Sequence, residues 1–281
     1  MSKKNVAQLI IETTGDLPAM PHVASQVLKK ANDPNATAKD LHQIISQDQS
    51  LAARVLKLAN SSYYARSRAI TTLTDAVVIM GFNTVKSLVM ASVTRELFKN
   101  FGLNEQLLWV HSIGSAVAAR TIARKVRFPK VEEAFLTGLL HDIGITVLLL
   151  KLPKKMTPIL EAVYNGNAED FRSQEMEVLG FDHAHVGELL AEKWRFSDEI
   201  VEAIGLHHRP EEAQANPGLV RITYAANMFC HKLEIGHTRR PELDLMALEP
   251  VRALQLDAEV IESLLEEVRG MIASEMAEMF S

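Results

Sequence analysis

The chain has 281 residues, 47% of them hydrophobic and 23% charged, which is the composition of an ordinary soluble globular protein and a length for one elongated domain or two small lobes. A net charge of -5 and a pI near 6.1 argue against a general nucleic-acid surface, which needs a basic excess. The lone cysteine, Cys230, excludes an internal disulfide and suits a reducing cytoplasm, the expected location.

Met1-Ser2-Lys3-Lys4 is basic, but the apolar stretch after it breaks at Gln8 and Glu12, too early for a signal peptide. Strand signals are scarce throughout. Thr37-Ala38-Lys39-Asp40 and Thr72-Leu73-Thr74-Asp75 have capping-box character, with Asp in place of the preferred Glu. Asp33-Pro34, Gly81, Gly102, Pro129, Pro153, Gly166, Gly180 and Pro210 punctuate the helices. The expectation is an all-α protein. An N-terminal helical lobe over 1–100 includes helices at Val23–Ala31, Leu41–Ile45, Leu51–Ala59 and Val85–Phe98. A second helical lobe covers 101–235, and a C-terminal helical extension covers 236–281.

Leu41 to Asn60 has the cadence of a helix-turn-helix, but Arg54 and Lys57 are its only basic residues, so it reads as structural. In Tyr63-Tyr64-Ala65-Arg66-Ser67-Arg68, aromatics alternate with arginine in a way that can grip a nucleotide or phosphate. This segment also reads as a packed loop, with Arg66 and Arg68 held in reserve as ligand residues. Ile143 to Leu150 is the most apolar run, far short of the ~20 residues a membrane span needs. A buried helix is expected there, and no membrane association. The last helix carries the stripe Ile261, Leu264, Leu265, Val268, Ile272, Met276 and Met279. It is expected to pack back on the second lobe; a dimer or partner helix is the alternative, since methionine suits adaptable surfaces.

Histidines recur on apolar helical stripes of the second lobe. His111 aligns with Ser115, Ala118 and Ile122. His141 continues Ala134 and Gly138 and precedes Ile145 and Leu148. His183 opens the run Val186, Gly187, Leu190, Ala191, Trp194, and His207-His208 closes a helix bearing Ile200, Val201 and Ile204. All follow the ~3.6-residue period of one inward helix face. Any one of them reads first as a hydrogen-bonded core residue. Four segments converging point to a shared polar centre, and imidazole with the Asp142 carboxylate is the donor set of Zn, Fe or Mn-type cations.

The chain resembles the HDOD family, the HD-related output domains of bacterial signalling proteins, from about Leu17 to Leu233. The resemblance rests on Leu17-Pro18-Ala19-Met20-Pro21, Ile44-Ile45-Ser46-Gln47-Asp48 and Ala59-Asn60-Ser61-Ser62-Tyr63-Tyr64. It continues through Ile79-Met80-Gly81-Phe82, Trp109-Val110-His111-Ser112 and Phe135-Leu136-Thr137-Gly138-Leu139-Leu140-His141-Asp142-Ile143-Gly144. It ends on His183-Ala184-His185-Val186-Gly187, Trp194 and His207-His208-Arg209-Pro210. It implies an HD-like helical domain over 101–235. By the same resemblance, His111, His141, Asp142, His183, His207 and His208 match the metal ligands of HD-GYP phosphodiesterases.

Two departures bear on activity. Asn227, in Tyr224-Ala225-Ala226-Asn227-Met228, stands where those enzymes carry Asp, so it remains a weak ligand without negative charge. Ile145 stands where they carry a phosphate-facing Lys, and the Gly-Tyr-Pro signature is missing. The resemblance therefore implies a signalling module acting by protein or ligand binding without catalysis. One divalent transition metal (Fe, Mn or Zn) is expected at most. The rival reading is a metal-dependent phosphohydrolase acting on nucleotide-type phosphate esters. A nucleotide sensor that binds without hydrolysis is a third. No fused receiver or cyclase is read in the chain, so the expected input is a signalling protein partner or a nucleotide, with a dimer as an alternative assembly.

Overall fold

The computed structural model describes residues 7, 22–31, 33, 35–60, 69–98, 103–168 and 170–279. Helices begin where the capping signals stand. Thr37 accepts the Asp40 N–H, and the Asp40 carboxylate accepts the Thr37 N–H at 2.8 Å, completing a capping box with the shorter acid. Thr72 caps the next such helix through the Asp75 N–H at 3.0 Å, and Asp48 caps another through Leu51 at 2.9 Å. Among the described residues there is no strand. Tyr63–Arg68, with the reserve residues Arg66 and Arg68, lies outside the described residues.

The chain divides into two compact units. The described part of Pro18–Asn100 holds α1 (His22–Ala31), α2 (Ala38–Ile45), α3 (Gln49–Ala59), α4 (Leu73–Met80) and α5 (Phe82–Phe98). Its core draws on Val27, Leu41, Ile45, Leu51, Val55 and Leu88, all buried.

The unit over Phe101–Arg269 holds α6 (Leu103–Lys125), α7 (Val131–Leu140), α8 (Ile143–Lys151), α9 (Pro153–Tyr164), α10 (Phe171–Val178), α11 (His183–Lys193), α12 (Asp198–Gly205), α13 (Pro217–Lys232) and α14 (Glu249–Arg252). Helix α6 packs on α7 and α13, and α11 packs on α8 and α12. The hydroxyls of Thr137 and Thr223, 2.7 Å apart, join α7 to α13 inside the core. The stretch Val131–Lys151 has the length and apolarity of a membrane span, but 89% of its most apolar window is buried within the protein.

One detail differs from the sequence expectation. His141 is not on a continuous helical stripe: α7 ends at Leu140 and α8 begins at Ile143. Asp142 has φ -96° and ψ 12°, and Ile145 bonds its carbonyl in a three-residue turn at 2.9 Å. That break projects His141 and Asp142 from a joint between helices. Residues 236–269 cluster with the histidine-bearing unit, as does α15 (Ala258–Met279) as far as Arg269. Ile261, Leu264, Leu265, Val268 and Ile272 of its stripe are buried.

The loop after α12 is held by one carboxylate. Glu202 accepts the N–H groups of Gln214, Ala215 and Asn216 at 2.6, 2.8 and 2.8 Å. Glu202→Ala is expected to cost about 1–3 kcal/mol in urea unfolding at neutral pH, because it strips the acceptor from these donors. Burial pushes the Glu202 pKa up, but the three N–H groups outweigh it and hold it below its ordinary 4.5. Its stabilisation is therefore complete above the unfolded value and is lost as pH falls through the lower folded one. The deficit of the variant should shrink in acid.

Candidate metal centre

Two glycines of the motif decide which helices meet at His141-Asp142. A Cβ on Gly138 would lie 2.5 Å from the Ser115 carbonyl oxygen, and one on Gly144 would lie 2.0 Å from that of His183. Without side chains at these positions, α6 approaches α7 backbone to backbone, and the start of α11 approaches the start of α8. His111, one turn before Ser115 on α6, and His183, first residue of α11, thereby reach the turn that carries Asp142.

The Asp142 carboxylate is the hub. Its Oδ2 lies 3.4 Å from His111 Nε2 and 3.3 Å from His141 Nε2. Its Oδ1 lies 3.2 Å from His183 Nε2 and 3.5 Å from His207 Nε2. His208 joins the second side, with Nε2 2.9 Å from His183 Nε2. The donors thus form two groups, one at each carboxylate oxygen: His111 and His141, then His183, His207 and His208. Asp142 is shared.

The far side of each ring is fixed. His111 Nδ1 meets the Ile235 carbonyl at 3.0 Å, His141 Nδ1 the Gly138 carbonyl at 2.8 Å, and His207 Nδ1 the Ile204 carbonyl at 2.7 Å. A carbonyl only accepts, so each Nδ1 carries the proton and each Nε2 presents a lone pair toward Asp142. His183 Nδ1 donates instead to the Glu175 carboxylate at 2.6 Å, and the His183 backbone N–H donates to the same oxygen at 2.8 Å. The Nε2 atoms of His111, His141 and His207 and the Oδ1 of Asn227 are buried with no hydrogen-bond partner. Buried lone pairs without partners are costly. Facing a carboxylate, they are the donors a divalent transition metal takes, and the set fits such an ion.

Charge follows the same geometry. Burial raises the Asp142 pKa, but the neighbouring rings of His141, His183 and His207 outweigh it and hold the carboxyl well below its usual range. Burial lowers His183, yet Glu175 and Asp142 outweigh it and raise that ring well above its ordinary value. Burial dominates at His111 and His208, lowering both, so these rings are neutral near pH 7 and their lone pairs are available.

The structure thus gathers His111, His141, Asp142, His183, His207 and His208 into one cluster, buried except for the half-buried His208. Asn227 is 2% exposed and lies beside His111. Ile145 is in the core, 1% exposed. Sequence reasoning missed Glu175, His231 and His237. Glu175 sits among Arg172, Gln174 and Glu177, a context that reads as a solvent face, yet it is fully buried. His231 and His237 pack on the His111 ring, with centroids at 5.6 and 4.9 Å. Gly236, at φ +100°, allows that approach, since a Cβ there would lie 2.6 Å from His111 Cβ. Nothing in the spacing of these residues announces the centre; only the fold joins them.

Glu175 orients His183 and raises its basicity, as partners behind metal-bound histidines commonly do. Glu175→Gln is expected to weaken metal binding by about 10–100-fold, read by competition with a chromophoric chelator, while the far-UV spectrum stays unchanged.

Comparison with known proteins places this geometry. A solved HDOD domain protein of unknown function from Geobacter sulfurreducens is 26% identical and superposes with a TM-score of 0.83, covering 96% of this chain and 97% of that one. A solved protein of Shewanella amazonensis SB2B, named "Putative phosphohydrolase", is 27% identical with a TM-score of 0.75, covering 96% and 95%. An uncharacterized protein of Treponema pallidum is 22% identical over 270 residues, 93% of this chain; the chain spans 52% of that relative's length. The HDOD domain family model matches residues 17–210, and the chain belongs to the HDOD family.

Proposed function

We propose that this chain is a signalling module that acts by binding, in which the Asp142 centre holds a divalent transition metal (Fe, Mn or Zn) and a ligand or signalling protein partner sets the state of the lobe around it. The observation that carries this reading is the set of three Nε2 lone pairs about Asp142, those of His111, His141 and His207, each fixed by an Nδ1–H bond on its far side. A purely structural core would leave those lone pairs costly and unused. His111, His141 and Asp142 would hold the ion with the unpartnered Asn227 oxygen nearby, and His183, His207 and His208 offer donors on the other carboxylate oxygen.

Binding without turnover is favoured by what surrounds the donors. Asn227 brings no charge where the catalytic HD-GYP pattern calls for Asp, and the Ile145 side chain is in the core, where it offers no cation to a phosphate. When bound, a metal would acidify water and neutralise phosphoryl charge. Loss of one electrostatic contact of this kind can cost about 10²–10³ in rate. Metal-loaded protein given Mn or Fe is therefore expected to leave cyclic dinucleotides, nucleoside triphosphates and an aryl phosphate intact. The second reading, a metal-dependent phosphohydrolase, draws on the five histidines gathered at Asp142. Robust turnover that disappears in a folded His141→Ala variant would install it.

Metal affinity should rise with pH. Glu175 and Asp142 keep a proton on His183 near neutrality, and an ion taking that nitrogen must displace it. Titration at pH 6 and pH 8 is expected to give weaker binding at pH 6, with proton release on uptake.

A further inference from the structure

We propose that the cavity between α10, α13 and the segment after α13 is a subsite for a phosphate monoester bearing a ring, with its phosphoryl group against the His208 edge of the centre. The cavity has a volume of about 420 Å³, within the range of small-molecule sites. His208, whose Nε2 is 2.9 Å from that of His183, is in its wall, so a ligand here sits beside the cluster. What this adds to the proposed function is a ligand class and the residues that recognise it; it relies on that reading only for what lies behind His208.

Three features give the chemistry. Arg172 of α10 and Arg240 of the segment after α13 both line the cavity, and guanidinium groups are the side chains best matched to phosphate. Each is steered by an acid: Arg172 Nε lies 3.1 Å from Asp182 Oδ2, and Arg240 Nη2 lies 3.9 Å from Asp170 Oδ2. A guanidinium has five N–H donors, so Arg172, held through Nε, still presents its outer edge. Asp170, also in the wall, is engaged as the cap of α10, accepting the Ser173 N–H at 2.8 Å. Second, His231 lines the same cavity and is 8% exposed, a polar ring in its wall. Third, Met176, Met228 and Tyr224 supply apolar and aromatic wall for a ring. The cations missing at Ile145 are supplied from two other elements.

Isothermal titration of the full chain tests this with two probes, inorganic phosphate and adenosine 5'-monophosphate, on chelator-treated and metal-loaded protein. Both probes are expected to bind the chelator-treated chain, the monophosphate at least tenfold more tightly than phosphate. Arg172→Gln/Arg240→Gln should weaken both by about 10–100-fold, the effect of removing charged hydrogen-bond donors. Arg240→Gln alone, which leaves the Arg172–Asp182 pair in place, should give an intermediate loss, and thermal melts confirm that each variant folds. Binding unchanged in the double variant would overturn the subsite even if the protein takes up metal. Equal affinity for the two probes would overturn the monoester assignment. Monophosphate binding that depends on the arginines in a chain that never takes up metal would uphold the subsite and sink the metal reading.

Discussion

Asp142→Asn is expected to abolish metal binding while leaving a folded protein. The substitution keeps the shape of the side chain and removes the negative charge that lies within 3.5 Å of the Nε2 atoms of His111, His141, His183 and His207. A single charge pair at about 4 Å is worth roughly 4 kcal/mol at an effective dielectric near 20, about a thousandfold in affinity. A dication doubles that interaction, and Asn227 supplies no compensating carboxylate. Competition with a chelator should therefore show a loss of about 10³-fold or more. An affinity within tenfold of wild type, in a variant with a native far-UV spectrum, would mean that Asp142 is not the hub.

Gly144→Ala should bring the largest loss of stability of any single methyl addition in the histidine-bearing unit. The new Cβ would lie 2.0 Å from the His183 carbonyl oxygen, 2.8 Å from its carbon and 2.9 Å from the Gly187 nitrogen. All are backbone atoms of another helix, and no rotamer relieves the contact. Losses above about 4 kcal/mol are confined to a few mechanisms, and overpacking against rigid backbone in a core is one. Urea unfolding should show such a loss, or no folded protein at all, with His183 displaced from Asp142. Gly270→Ala is the control: beyond its own helix backbone and chain neighbours, nothing lies within 4 Å of its Cβ position. Being helical, it should gain about 0.5–1 kcal/mol.

The helical architecture was legible because its signals are local. Thr37, Asp48 and Thr72 cap the helices they introduce, and the apolar period fixes the buried faces. The principal donors were legible because each histidine interrupts an apolar stripe, where a polar ring demands a partner. The His141-Asp142 turn was not, since Ala134, Gly138, His141 and Ile145 keep helical spacing across it; the break is a matter of ψ at Asp142. Glu175 was illegible because its burial depends on α10 meeting the start of α11. His237 reaches His111 through a loop whose course no periodicity describes. The division of the donors between two carboxylate oxygens likewise exists only in three dimensions.

Metal binding at Asp142 can be seen directly by anomalous scattering from crystals of the full chain grown with Mn or Zn and collected above and below the metal's absorption edge. A peak is expected among His111, His141, Asp142, His183 and His207, absent from Asp142→Asn crystals grown in the same solution. Saturating metal with no peak in that cluster, or a peak that persists in the variant, would contradict metal binding by Asp142.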